Sequence, residues 1–120
     1  MLFRSDAQGH FITTATINGI PVRALIDTGA TLVSINSTEA QRLGLNYQQG
    51  QRVMTQTAAG PSASYLVTLA HVQVGDIAFA NVPGAVRTDG SGPTLIGMSF
   101  LKHVDMRRSG NTMTLTRAHQ

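Results

Sequence analysis

Short runs of alternating apolar and polar residues, broken about every 8–12 residues by Gly, Asn, Asp or Pro, dominate the chain and predict strands rather than helices. His10 to Ile17 (HFITTATI) and Ile20 to Ile26 (IPVRALI) are rich in β-branched residues and flank Asn18-Gly19, the strongest two-residue hairpin signal. Pro21 lacks an N–H and suits an edge position. A short strand is expected over Thr31 to Ile35. A helix follows, capped by Asn36 or Ser37, running through Glu39, Ala40 and Leu43 and stopping at Gly44. Gln51 to Thr57 and Ser62 to Leu69 surround the small, turn-prone Ala58-Ala59-Gly60-Pro61 as a long hairpin, and Ala70 to Val74 and Ile77 to Val82 flank Gly75-Asp76 as a second. Gly84 to Pro93 reads as a loop. Thr94 to Gly97 reads as a short buried strand, Met98 to Lys102 has room for one or two helical turns, and Val104 to Arg108 and Thr112 to Thr116 form a last hairpin around Ser109-Gly110-Asn111. The pattern argues for an all-β barrel or sandwich with one short helix, and it contains no internal repeat.

At 120 residues, 42% of them hydrophobic, the chain has the size of one domain, residues 1–120, and can build a single active centre. Nine Lys and Arg against six Asp and Glu give a net charge of +3, but the basic residues are scattered and the doublet Arg107-Arg108 reads as a solvated face. With two Tyr, four Phe and no Trp there is little material for stacking bases, so no nucleic-acid partner is expected. The absence of cysteine excludes disulfides and thiolate chemistry. His10, His71, His103 and His119 lack the spacing of metal ligands, and no metal or other cofactor is expected. No Gly-x-Ser-x-Gly elbow is present. No run approaches the ~18 apolar residues of a membrane span, and Met1-Leu2-Phe3 is too short for a signal core, so a soluble domain is expected.

In so uncharged a chain, the stretch ALIDTGAT (Ala24 to Thr31) sets a carboxylate at the end of an apolar run. Burying an unpaired carboxylate is costly, so Asp27 either turns outward, as in an ordinary Asx turn before glycine, or is held for chemistry.

The surroundings decide between these. Two strands joined by a tight turn lead into LIDTGAT, the hairpin VMTQTAAGPSASYLV follows, and TLIGMSFL supplies two apolar residues, a glycine and a short helix. In this order the sequence resembles, from about His10 to Leu115, the retropepsin-like aspartic proteases, single-domain relatives of pepsin found in retroviruses and, membrane-anchored, in many bacteria. The bacterial branch, with its DTGA, A-x-x-L-G-L (here Ala40 to Leu45) and LLGMSFL-like text, is the nearer.

The resemblance implies a closed β-barrel-like protomer acting as a symmetric homodimer and hydrolysing peptide or protein substrates. Asp27 would be catalytic, with Thr28, Gly29, Ala30 and Gly97 supporting its loop and Thr57, Ala58, Ala59 and Gly60 forming a flap. The Thr28 hydroxyl would hydrogen-bond across the dimer. Hydrolysis needs two carboxylates, and since Asp6, Glu39, Asp76, Asp89 and Asp105 lie in predicted tails, helix, turns or an unrelated strand, the second would be a partner's Asp27. Two carboxylates face to face share one proton, making one an acid and the other a base. The alternative is a catalytically silent dimeric peptide-binding module of the same fold. The resemblance also implies a periplasmic location, in a longer membrane-anchored protein.

Overall fold

The computed structural model describes residues 2–5, 10–57, 60–88 and 92–118. Among these residues ten strands carry the fold: β1 Leu2–Arg4, β2 Ile12–Ile17, β3 Ile20–Ile26, β4 Val33–Ile35, β5 Arg52–Thr57, β6 Gly60–Val74, β7 Ile77–Arg87, β8 Thr94–Ile96, β9 Val104–Ser109 and β10 Thr112–Arg117. Among the described residues two short α-helices, α1 Ser37–Arg42 and α2 Met98–Leu101, and a 3₁₀ turn at Tyr47–Gln49 interrupt them.

The larger sheet runs β2-β3-β8-β4-β7-β6-β5, and β2 pairs again with β6. That second pairing, Ala15 to Ile17 against Val72 to Val74, closes six strands into a barrel and leaves β5 outside it. Closure depends on the β2–β3 turn. Asn18 and Gly19 both adopt positive φ (51° and 83°), the twist a two-residue hairpin needs, and Asn18 then docks on β6. Its N–H donates to the His71 carbonyl at 2.8 Å, and its side-chain oxygen accepts from the His71 N–H at 3.1 Å.

Inward-facing residues of the barrel, among them Ile17, Val33, Ile35, Leu69, Val72, Val74, Val86 and Ile96, pack with Phe100 and Leu101 of α2 into the core. Phe79 meets Phe100 edge to face at 5.1 Å between ring centres. A second sheet, β1-β10-β9, lies outside the barrel. Among the described residues no helix is long and apolar enough to cross a membrane.

The all-β barrel stands, with local differences. Residues 62–69 and 70–74 are one continuous strand, β6, and Leu2–Arg4 adds the unanticipated edge strand β1. Gly84 to Arg87 is strand, not loop: β4 runs parallel beside it, pairing Val33 with Gly84 and Ile35 with Val86. A Cβ on Gly84 would come within 2.9 Å of the Leu69 side chain, so this glycine serves close packing and does not mark a turn. The helix α1 starts and stops where its caps require. The Asn36 side chain accepts from the Glu39 N–H at 2.7 Å, and Gly44 takes φ 73° just beyond the end. Arg42 on α1 pairs with Glu39, whose hydrogen bond and charge raise the guanidinium's pKa, and it donates to the Pro21 carbonyl of β3.

Candidate active site

Asp27 follows the last residue of β3, where the chain leaves the barrel wall and turns. Its N–H donates to the Ile96 carbonyl at the end of β8 (3.0 Å), and its carbonyl accepts the Ala30 N–H (3.2 Å), closing a tight turn. The Gly29 N–H donates to the carboxylate oxygen Oδ1 at 2.8 Å. This last contact is the ordinary Asx-turn bond, and here it orients a half-buried carboxylate at the mouth of the turn. Ala30 is buried, whereas Thr28 and Gly29 are exposed, and the Thr28 hydroxyl makes no hydrogen bond among the described residues.

The turn is braced from beneath by the start of α2. The Met98 N–H donates to the Ala30 carbonyl at 2.8 Å, and the Ser99 N–H to that of Thr31 at 2.9 Å. Such proximity is possible because position 97 has no side chain. A Cβ there would sit 2.3 Å from the Leu32 oxygen and 2.7 Å from the Ala30 oxygen. Ser99 completes the brace: its buried Oγ accepts the Val33 N–H (2.9 Å) and donates to the Pro83 carbonyl (2.6 Å), tying β4 to β7. Sequence reasoning passed over Ser99 as part of an apolar segment; a lone hydroxyl among Met98, Phe100 and Leu101 was the available signal.

The hairpin of β5 and β6 reaches its last described rung at Thr57 and Gly60, where Gly60 has φ 110°. Ala58 and Ala59, the remaining flap candidates, lie outside the described residues. At the root of this hairpin, Leu66, Val67 and Thr68 of β6 line a groove of about 390 Å³ together with Leu32, Pro83 and Gly84. The groove is mainly apolar, and its Leu32 lies five residues beyond Asp27 along the chain. The remaining described acids are elsewhere: Glu39 on α1, Asp76 in the β6–β7 turn and Asp105 on β9. The structure therefore brings Asp27, Thr28, Gly29, Ala30 and Gly97 together around one carboxylate.

A six-strand barrel whose Asp-Thr-Gly turn rests on an apolar-apolar-Gly segment and its helix is the architecture of the retropepsin-like aspartic proteases. The chain belongs to the family described as "gag-polyprotein putative aspartyl protease", which matches residues 13–103. A crystal structure of a retropepsin-like aspartic protease from Rickettsia conorii is similar to it with a TM-score of 0.82 and 26% identity, over 96% of this chain and 88% of that one. Among curated proteins, an uncharacterized protein from the cobV 5′ region of a Sinorhizobium species is 34% identical over 82% of this chain and 43% of its own length. An uncharacterized protein of Rickettsia prowazekii is 28% identical over 85% of this chain and 44% of its own. The chain thus spans less than half the length of these curated relatives.

Proposed function

We propose that this chain is an aspartic endopeptidase whose active site forms when two copies bring their Asp27 carboxylates together on a two-fold axis. The observation that carries the reading is the braced Asp27 turn itself: one oriented, half-buried carboxylate, flanked by exposed Thr28 and Gly29. One such carboxylate is half of what peptide hydrolysis requires. A second copy supplies the rest, and the exposed Thr28 hydroxyl gains a partner on the opposing loop.

In the assembled site the two carboxylates share one proton and hold a water between them. The charged member takes a proton from the water as its oxygen attacks the scissile carbonyl carbon. The protonated member gives its proton to the carbonyl oxygen, leaving a neutral tetrahedral diol. The protonated carboxyl then gives its proton to the amide nitrogen while the other carboxylate takes a proton from a diol hydroxyl, so that the C–N bond breaks, an acid and an amine leave, and the pair again holds one proton. The hairpin tip closes over the peptide, and the groove beside Leu32 and Leu66 takes an apolar side chain. The proposed location is the periplasm, in a longer anchored chain, a reading supported by the family resemblance alone.

Digestion of a peptide library by the wild type beside Asp27→Asn, with molecular mass measured in solution, tests the proposal. Cleavage by the wild-type dimer that vanishes in Asp27→Asn supports it. Unchanged cleavage by the variant removes Asp27 from the mechanism, and peptide binding without turnover by a wild-type dimer would make the chain a silent peptide-binding module.

A further inference from the structure

Arg87, the last residue of β7, is only 6% exposed and is the one buried charged side chain among the described residues. Its Nη1 donates to the Ser34 Oγ of β4 at 2.7 Å, and its Nη2 donates to the Pro93 carbonyl, just before β8, at 2.8 Å. Both strands carry the Asp27 turn: β8 through the Ile96 carbonyl that binds the Asp27 N–H, and β4 through the Val33 N–H that Ser99 holds. On its other side Arg87 pairs in register with Ser64 of β6, which is fully buried. Ser64 is the last residue of β6, going toward the tip, that still pairs with β7. From Ala63 outward the ladder joins β5 and β6 only to each other, with one further bond from the Thr88 N–H to the Ala63 carbonyl at 3.3 Å.

Arg87 therefore stands where the flap hairpin leaves the barrel, and the same side chain grips the two strands behind the catalytic turn. An apolar side chain would fill this space without the desolvation cost of a buried guanidinium. Only a planar fork with several donors can hold acceptors on two separate segments in fixed relation. We propose that Arg87 is a positioning residue that sets the angle at which the flap leaves the barrel relative to the Asp27 turn. The consequence for turnover rests on the protease reading, whereas the mechanical coupling does not. A misdirected flap weakens its hold on bound peptide and leaves the carboxylate in place, so KM is affected more than kcat.

The test uses the intact chain and compares wild type with Arg87→Lys, which keeps the charge but loses the fork, Arg87→Met, and Ser34→Ala, which removes one acceptor and leaves the arginine. Amide hydrogen exchange is followed at residues 60–66 and, as reference, at the closure rungs 15–17 and 72–74. The expected result is roughly ten-fold faster exchange in the flap of Arg87→Met and Ser34→Ala with the closure rungs unchanged, a smaller effect in Arg87→Lys, and, on a peptide that the wild type cleaves, a KM raised about five-fold or more with kcat within about three-fold. Wild-type flap exchange in folded Ser34→Ala and Arg87→Lys overturns the proposal. Equal acceleration at flap and closure rungs also overturns it, since that is general destabilisation. Should Arg87→Met not fold, the other two variants decide. A wild type that cleaves nothing refutes the protease reading, and the exchange comparison still decides the coupling.

Discussion

Replacing Gly97 by alanine probes the brace under the Asp27 turn most directly. The backbone there is extended (φ −96°, ψ −169°), a conformation alanine adopts freely, so the substitution acts by contact and not by torsional strain. The new Cβ would lie 2.3 Å from the Leu32 oxygen, against a comfortable carbon–oxygen contact of about 3.3 Å, so the turn must retreat by about 1 Å. The atoms in the way are backbone, and the same stretch accepts the Met98 and Ser99 N–H groups at 2.8 and 2.9 Å, so retreat stretches both bonds. Two weakened hydrogen bonds at about 1 kcal/mol each, with overpacking of about 1–3 kcal/mol, give a loss of about 3–5 kcal/mol. For a domain of this size that lowers Tm by about 10–25 °C. Displacing a reacting group by about 1 Å costs about 100-fold in rate. Thermal unfolding by circular dichroism, and kcat measured well below the lowered Tm at fixed protein concentration, read the two effects separately. A Gly97→Ala protein with Tm within about 2 °C of wild type and undiminished kcat would refute the argument that the close approach holds the turn.

Ser99→Ala leaves the Val33 N–H without its acceptor inside the core and should cost about 1–3 kcal/mol in chemical denaturation, and a change under about 0.5 kcal/mol would mean that the hydroxyl bears no load. If, as proposed, each site is built from two chains, specific activity should fall on dilution as dimers separate, and constant specific activity from a species that sediments as a monomer would exclude a shared pair of carboxylates. Amide exchange at residues 57–62 should be fast in the free protein and slow with a peptide-like inhibitor, because residues 60–63 of β6 pair in register with β5 and no longer with β7; equal rates in both states would count against flap closure.

What the sequence made legible was what short-range chemistry decides. Asn18-Gly19 specifies its turn by tolerating positive φ, Asn36 and Gly44 bound α1 by capping it, and the Asp-Thr-Gly triplet closes its own turn with the Gly29 N–H on the carboxylate. What escaped reading depends on partners far along the chain. Gly84 to Arg87 looked like loop because its glycine suggested a turn, yet β4, some fifty residues earlier, lies parallel beside it and makes it strand; four consecutive buried residues are the mark of a strand covered on both faces. Arg87 was one of nine scattered basic residues, and nothing local distinguishes a guanidinium held by Ser34 and Pro93 from one in solvent. The same division runs through the site. The chain's own bonds fully account for the position of Asp27 and of the turn around it, but not for the exposure of Thr28 beside it. The Thr28 hydroxyl is exposed on this braced turn and makes no hydrogen bond among the described residues, which leaves it open to a partner. In the proposed dimer one two-fold operation would place a second Asp27 opposite the first and a second loop against Thr28. On the proposed reading the protomer fixes the geometry of the Asp27 turn, and association with a second copy supplies the other carboxylate.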